Sequence, residues 1–221
     1  MSIATLILGE TGTGKSRSLL NLDPTNVLLI KAINKVLPFK EKQMGWELAT
    51  KENPSGSIFL ADKSQNIVMA MERTKKQIII IDDFQYTMSN EFMRRVLDKE
   101  SGNAAFQKYN EIAKAAWDIV KMSGELTDNK RVYILSHTNT DDNGLIKIKT
   151  IGKLLDEKIT IEGLFTIVLR THRINGKYVM STKNSGNDTV KSPEGLFEEE
   201  HIDNDLKMID QKICEYYDII H

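Results

Sequence analysis

The stretch "LILGETGTGKSRSLL" runs from Leu6 to Leu20. An apolar run stops at a glycine, passes through a loop of small residues, and ends in Gly14-Lys15-Ser16 before a leucine-bearing segment. A loop this poor in side chains packs almost nothing. Gly9, Glu10, Thr11, Gly12, Thr13, Gly14, Lys15 and Ser16 match G-x-x-x-x-G-K-[ST] in full, with a strand read before them and a helix after. The glycines let the backbone curl so that successive N–H groups face a phosphate. The helix that follows adds the partial positive charge of its N-terminus. Lys15 is placed to reach β- and γ-phosphates, the Ser16 hydroxyl to ligate Mg²⁺, and Arg17 to complete the binding segment. A nucleoside triphosphate with Mg²⁺ is the expected ligand.

Such a site needs an acidic residue at the end of an apolar strand, and Ile78-Ile79-Ile80-Ile81-Asp82-Asp83 supplies it. Ending four isoleucines at a carboxylate needs a reason, and Asp82 is expected in the Mg²⁺ shell. Asp83 either polarises the attacking water or caps the next segment. Ser136 and His137 end a later apolar strand, where ligands of open α/β sheets sit. His137 is read either as a partner of the γ-phosphate or as an ordinary loop histidine.

The 221 residues suffice for one sizeable α/β core, and 40% hydrophobic with 28% charged residues is ordinary for a globular chain. No stretch approaches the roughly 18 consecutive apolar residues that span a bilayer. No export signal is read ahead of the first strand, and Cys214 stands alone, so a reducing cytoplasmic setting is expected. A net charge of −1 excludes a global polycation, so any nucleic acid must bind a local basic surface.

The chain reads as alternating strands and helices, hence a mostly parallel sheet with an antiparallel hairpin at its late edge. Strands are expected over 2–8, 26–32, 57–62, 76–84 and 130–137, and helices over 15–22 and 65–75. A further helix over 92–121 is interrupted near Ser101-Gly102-Asn103. Residues 35–56 read as a loop or small insertion with room for a short helix, and 138–153 as a loop or short hairpin. Asn175-Gly176 joins two strands within 164–184. Residues 184–197 form a loop, and Asp203 is expected to cap a final helix within 202–218. A single domain over 1–221 is the expected count.

The order of "GETGTGKS", "IIIIDD", "YILSH", "TIGKLLDEKITIEGLFTIVLRT" and "STKNSGNDTVKSPEGLF" with "IDNDL" resembles the RecA-like core. It most resembles the small phage-type ATP-binding proteins of the AAA class that include the Sak-type single-strand annealing recombinases. The likeness covers most of the chain. It implies an ATP hydrolase with Lys15, Asp83, His137 and Lys183 as its catalytic set and His137 as a γ-phosphate sensor. A DNA-contacting loop is implied from Thr138 to about Gly152. The resemblance puts Lys183 where such filaments insert a lysine into a neighbour's ATP site, with Lys191 as a second candidate, and so implies a homo-oligomer or filament. One departure stands out: the family's catalytic glutamate follows the second strand, where this chain reads Ile30-Lys31-Ala32-Ile33-Asn34. Asp83 or Asp62 is then left as base, or turnover is slow.

The main functional reading is an ATP- and Mg²⁺-dependent protein acting on single-stranded DNA in phage-type recombination. Lys31, Lys35, Lys40, Lys42 and Lys51, with Lys147, Lys149 and Lys153, either line phosphates or form a mixed solvated face. A second reading is a nucleotide-gated loader or scaffold acting on a partner protein. A third, a small-molecule kinase, lacks an arginine-rich lid segment.

Overall fold

Seven buried or half-buried residues, Ile3–Gly9, form strand β1, and its side chains alternate between two apolar layers. The computed structural model describes residues 1–98, 103–127, 129–152 and 154–219. The remaining strands are β2 (Val27–Lys31), β3 (Ile58–Leu60), β4 (Ile78–Asp82), β5 (Arg131–Thr140), β6 (Ile146–Ile148), β7 (Ile167–Ile174), β8 (Lys177–Ser181) and β9 (His201–Asp203). Among the described residues they make a nine-stranded sheet of order β3-β2-β4-β5-β1-β7-β8-β9, with β6 paired to β5. Pairing is parallel from β3 through β7 and antiparallel from β7 to β9. The α/β class expected from the sequence, a mostly parallel sheet with a late antiparallel hairpin, is what the chain forms.

Continuous rather than alternating apolar strands mark a sheet covered on both faces. On one face, Leu6, Leu8, Ile79, Ile81 and Ile134 pack against Ile67 and Met71 of helix α1 (Ser64–Arg73) and Met88 of α2 (Gln85–Arg94). Ile112, Ala116 and Ile119 of α3 (Asn103–Glu125) complete that layer. On the other face, Ile7, Ile80, Tyr133 and Leu135 meet Leu19, Leu37 and Trp46, with Leu206, Ile209 and Ile213 of α4 (Leu206–Tyr216). No helix among the described residues is long and apolar enough to cross a membrane.

Several elements differ from expectation. The segment after the glycine loop is a 3₁₀ turn, Ser16–Asn21, rather than an α-helix. Ser18 Oγ donates to the Lys15 carbonyl at 2.6 Å, competing for the groups an α-helix would use, and Asp23-Pro24 stops the run. Residues 35–56 do hold a short helical turn, the 3₁₀ turn Glu41–Met44, but Leu37 and Trp46 on either side of it are buried, which the polar segment does not suggest. The interrupted helix expected over 92–121 begins earlier and ends later, as α2 from Gln85 to Arg94 and α3 from Asn103 to Glu125; of the expected interruption near 101–103, residues 101 and 102 lie outside the described residues and Asn103 opens α3. Strand β5 runs past its expected end at His137 to Thr140, and folds back through β6 as a short hairpin, one of the two expectations for 138–153. Asp203 lies on β9, and Asp205 caps α4 instead, accepting from the Lys207 N–H at 3.0 Å.

One buried ion pair ties α4 to the sheet. Arg131 donates through Nε and Nη2 to both Asp210 oxygens at 2.9 Å, and the Tyr133 hydroxyl donates to the same carboxylate at 2.6 Å. Removing one partner leaves an uncompensated buried charge, which is costlier than never having built the pair. Asp210→Ala is expected to lower stability by about 3–5 kcal/mol in urea unfolding.

Candidate functional site

The cleft at the carboxyl ends of β1, β4 and β5 holds about 480 Å³. Thr11, Gly12, Gly14, Lys15, Ser16 and Arg17 line it from the glycine loop; Asp83, His137 and Tyr178 contribute from the sheet, and Lys35, Val36 and Pro38 from the segment after β2. The register explains the convergence. Gly9 lies beside His137 on the neighbouring strand, and β5 separates β1 from β4. The glycine loop therefore arches over the end of β5, and Ser16 Oγ donates to both oxygens of Asp82, at 3.1 and 2.9 Å.

The loop's shape is set by residues far along the chain. Gly14 has φ of +103°, and a Cβ there would lie 2.4 Å from Asn204 Nδ2 and 2.7 Å from Tyr178. Asn204 Nδ2 donates to the Gly14 carbonyl at 2.9 Å. A Cβ on Gly9 would fall 2.0 Å from Thr171 Oγ1, the hydroxyl that sits 2.6 Å from Thr13 Oγ1 and donates to the Leu8 carbonyl. The Arg17 and Arg173 guanidinium groups both lie over the Tyr178 ring, each 4.9 Å from its centroid.

Lys15 is buried and donates to the Gly9 and Glu10 carbonyls at 2.7 and 2.9 Å. Burial lowers its ammonium to about 8 against the pull of Asp82 and Asp83. The two aspartates, both buried, diverge. Burial and the neighbouring Asp83 charge push Asp82 above the usual carboxylate range. Burial acts the same way on Asp83, but His137 and the Lys35 ammonium outweigh it and hold that carboxyl below its ordinary value.

Asp83 has a left-handed backbone, φ +58°, a conformation that costs a non-glycine residue about 1–2 kcal/mol. One carboxylate oxygen pairs with Lys35 and the other lies 3.6 Å from His137 Nε2. His137 Nδ1 is 3.4 Å from Thr11 Oγ1, and the main-chain N–H of His137 donates to Gln85 Oε1 at 3.3 Å. His137 thus bridges the glycine loop and the second aspartate.

Other expected residues lie elsewhere. Asp62 borders a separate cleft between α1, α2 and α3, where Arg94 and Asn90 donate to its carboxylate at 2.7 and 2.8 Å. It does not line the cleft beneath the glycine loop, where Asp83 does. Ser136 shares the sheet face of Ile134, and its buried Oγ has no hydrogen-bond partner among the described residues. Lys183 donates to the Glu198 carbonyl at 2.6 Å, and both it and Lys191 line another cleft of about 390 Å³. Lys31 is buried at the end of β2 and donates to the Lys35 carbonyl. Lys40, Lys42, Lys51 and Lys149 are exposed, Lys147 is half-buried, and Lys153 lies outside the described residues.

These residues fit Mg²⁺ and a triphosphate: a hydroxyl and a carboxylate meet at the loop's foot, beside a buried lysine whose hydrogen-bond acceptors are neutral carbonyls. No family model and no curated protein matches the sequence. Among solved structures the chain is similar to the KaiC-like protein PH0186 from the hyperthermophilic archaeon Pyrococcus horikoshii OT3. The two share 13% identity and a TM-score of 0.44, over 84% of this chain and 81% of that one. Strand order and site geometry show a mostly parallel α/β sheet with a glycine loop of phosphate-binding pattern at the carboxyl end of its strands.

Asp82 carries a testable trade-off. Its raised pKa means that its contribution to stability is present at acid pH and is lost as pH rises through the folded-state value. Asp82→Asn, measured without nucleotide at pH 7, is expected to stabilise the fold by roughly 1 kcal/mol. The same substitution is expected to weaken Mg²⁺-dependent nucleotide binding at least about tenfold.

Proposed function

We propose that the chain is a Mg²⁺-dependent P-loop ATPase that acts on single-stranded DNA in phage-type recombination or annealing, assembling as an ATP-dependent homo-oligomer. The observation that carries the ATPase half is the contact of Ser16 Oγ with both oxygens of Asp82 beneath the glycine loop. Ser16 and Asp82 would hold Mg²⁺, which draws negative charge from the phosphate oxygens when bound. Lys15 would exchange its carbonyl partners for the β- and γ-phosphates.

Asp83 is then the general base. It accepts a proton from the attacking water as the water oxygen bonds to the γ-phosphorus. The bond from that phosphorus to the bridging oxygen breaks, and its electron pair stays on the departing ADP. His137 orients Asp83 from one side and touches Thr11 of the loop from the other.

The DNA half draws support from the β5–β6 hairpin. It continues directly from His137, whose carbonyl accepts the Lys149 N–H at 2.8 Å, so a change at His137 reaches the hairpin through one hydrogen bond. The loader reading draws on a different observation. Met93, Leu97 and Phe106, at 62, 88 and 72% exposure, lie near the facing ends of α2 and α3 and would suit a protein partner.

Lys15→Ala is expected to abolish ATP binding while leaving the thermal transition in place; undiminished binding removes the P-loop assignment. Single-stranded DNA is expected to raise ATP turnover, and ATP to shift a labelled oligonucleotide in a gel. Turnover indifferent to DNA together with no shift rejects the DNA half. Lys183→Ala is expected to reduce both oligomer size and hydrolysis, read by light scattering and phosphate release. If both stay unchanged, the Lys183 contact between copies is rejected.

A further inference from the structure

The segment that follows β2 is anchored on both sides of the cleft. Behind Lys35, buried Lys31 donates to the Lys35 carbonyl, and the Ala32 N–H donates to the Asp82 carbonyl at 3.4 Å. Ahead of it, the Leu37 N–H donates to Glu41 Oε2 at 2.9 Å while the Leu37 side chain is buried with Trp46. Lys35 and Val36 thus hang over the glycine loop on a short, fixed span.

Three cations line the cleft among its described residues. Lys15 is held by main-chain carbonyls, Arg17 lies over Tyr178, and Lys35 pairs with the carboxylate of Asp83. The Lys35 side chain is 46% exposed while Asp83 is 3% exposed, so the lysine is the partner with room to move. A lysine is a compact charge on a flexible stem, able to trade one anionic acceptor for a stronger one nearby. The terminal phosphate of a triphosphate is such an acceptor, offering several charged oxygens.

We propose that Lys35 senses the terminal phosphate, leaving Asp83 for the γ-phosphate oxygens when a triphosphate binds and staying on Asp83 when a diphosphate does. The proposal rests on the P-loop reading given above. While Lys35 holds an Asp83 oxygen, that oxygen is blocked from taking a proton from water. The triphosphate frees it, so the substrate itself exposes the base. The displaced ammonium then sits where negative charge develops on the transferring group. The arrangement also gives Lys31 a role at a strand end that lacks a carboxylate: it fixes the main chain from which Lys35 reaches.

Calorimetric titration tests this with Mg²⁺-ADP and a Mg²⁺-bound non-hydrolysable ATP analogue, using the unaltered protein, Lys35→Ala and Lys35→Arg. Lys35→Ala is expected to weaken analogue binding about tenfold or more while ADP affinity stays within about twofold. Lys35→Arg is expected to keep most of the preference for the triphosphate. Equal losses for both nucleotides, or no loss for either, overturn the proposal. Failure of the P-loop reading looks different, because the unaltered protein then binds neither nucleotide. Should Lys35→Ala unfold, Lys35→Gln retains a neutral donor to Asp83, and the same ratio of affinities decides the matter.

Discussion

Everything at the site follows from one strand lying between two others. Because β5 separates β1 from β4, the end of the glycine-loop strand and the carboxylate that must serve it stand two strand spacings apart, about 10 Å. The loop closes that gap by arching over the end of β5, and Ser16 lands on Asp82. The strand beneath the arch cannot be inert. It runs beyond its neighbours, and the residue it presents, His137, fills the space between Thr11 and Asp83.

That geometry crowds charge into little volume. Two adjacent buried carboxylates would repel, and they separate their roles by taking different partners: a serine hydroxyl for Asp82, a lysine and an imidazole for Asp83. The left-handed backbone of Asp83 turns its carboxylate toward the loop while the next N–H, that of Phe84, donates to Leu135 on β5. The strain is local, and the sheet holds it in place. On the far side of the core, the Arg131–Asp210 pair fixes α4, so two buried charge systems fasten opposite ends of β5.

The parts legible in the sequence were those set by neighbours in the chain. The glycine loop, the isoleucine strand ending in Asp82, and the Asn175-Gly176 turn all carry their reason within a few residues. Helix α2 was missed because "QYTMSNEF" has neither a capping side chain nor a dense apolar stripe; it begins where Asp83 turns the chain. Leu37 and Trp46 were lost in a polar segment, since isolated apolar residues give no period to read. Asp205 displaced Asp203 as cap because three residues pair with β8, a contact no local pattern encodes. Thr171, Tyr178 and Asn204 shape the loop from more than 150 residues away, and only the folded chain brings them there.

The grip of Asn204 on Gly14 has a consequence for the order in which the molecule is completed. The Gly14 carbonyl and its Asn204 partner are 190 residues apart in the chain. Until the β8–β9 edge is in place, the loop lacks the side chains that press against it. The late edge of the sheet thus buttresses the glycine loop, and a partly folded chain without that edge has the loop's sequence but not the contacts that set its shape.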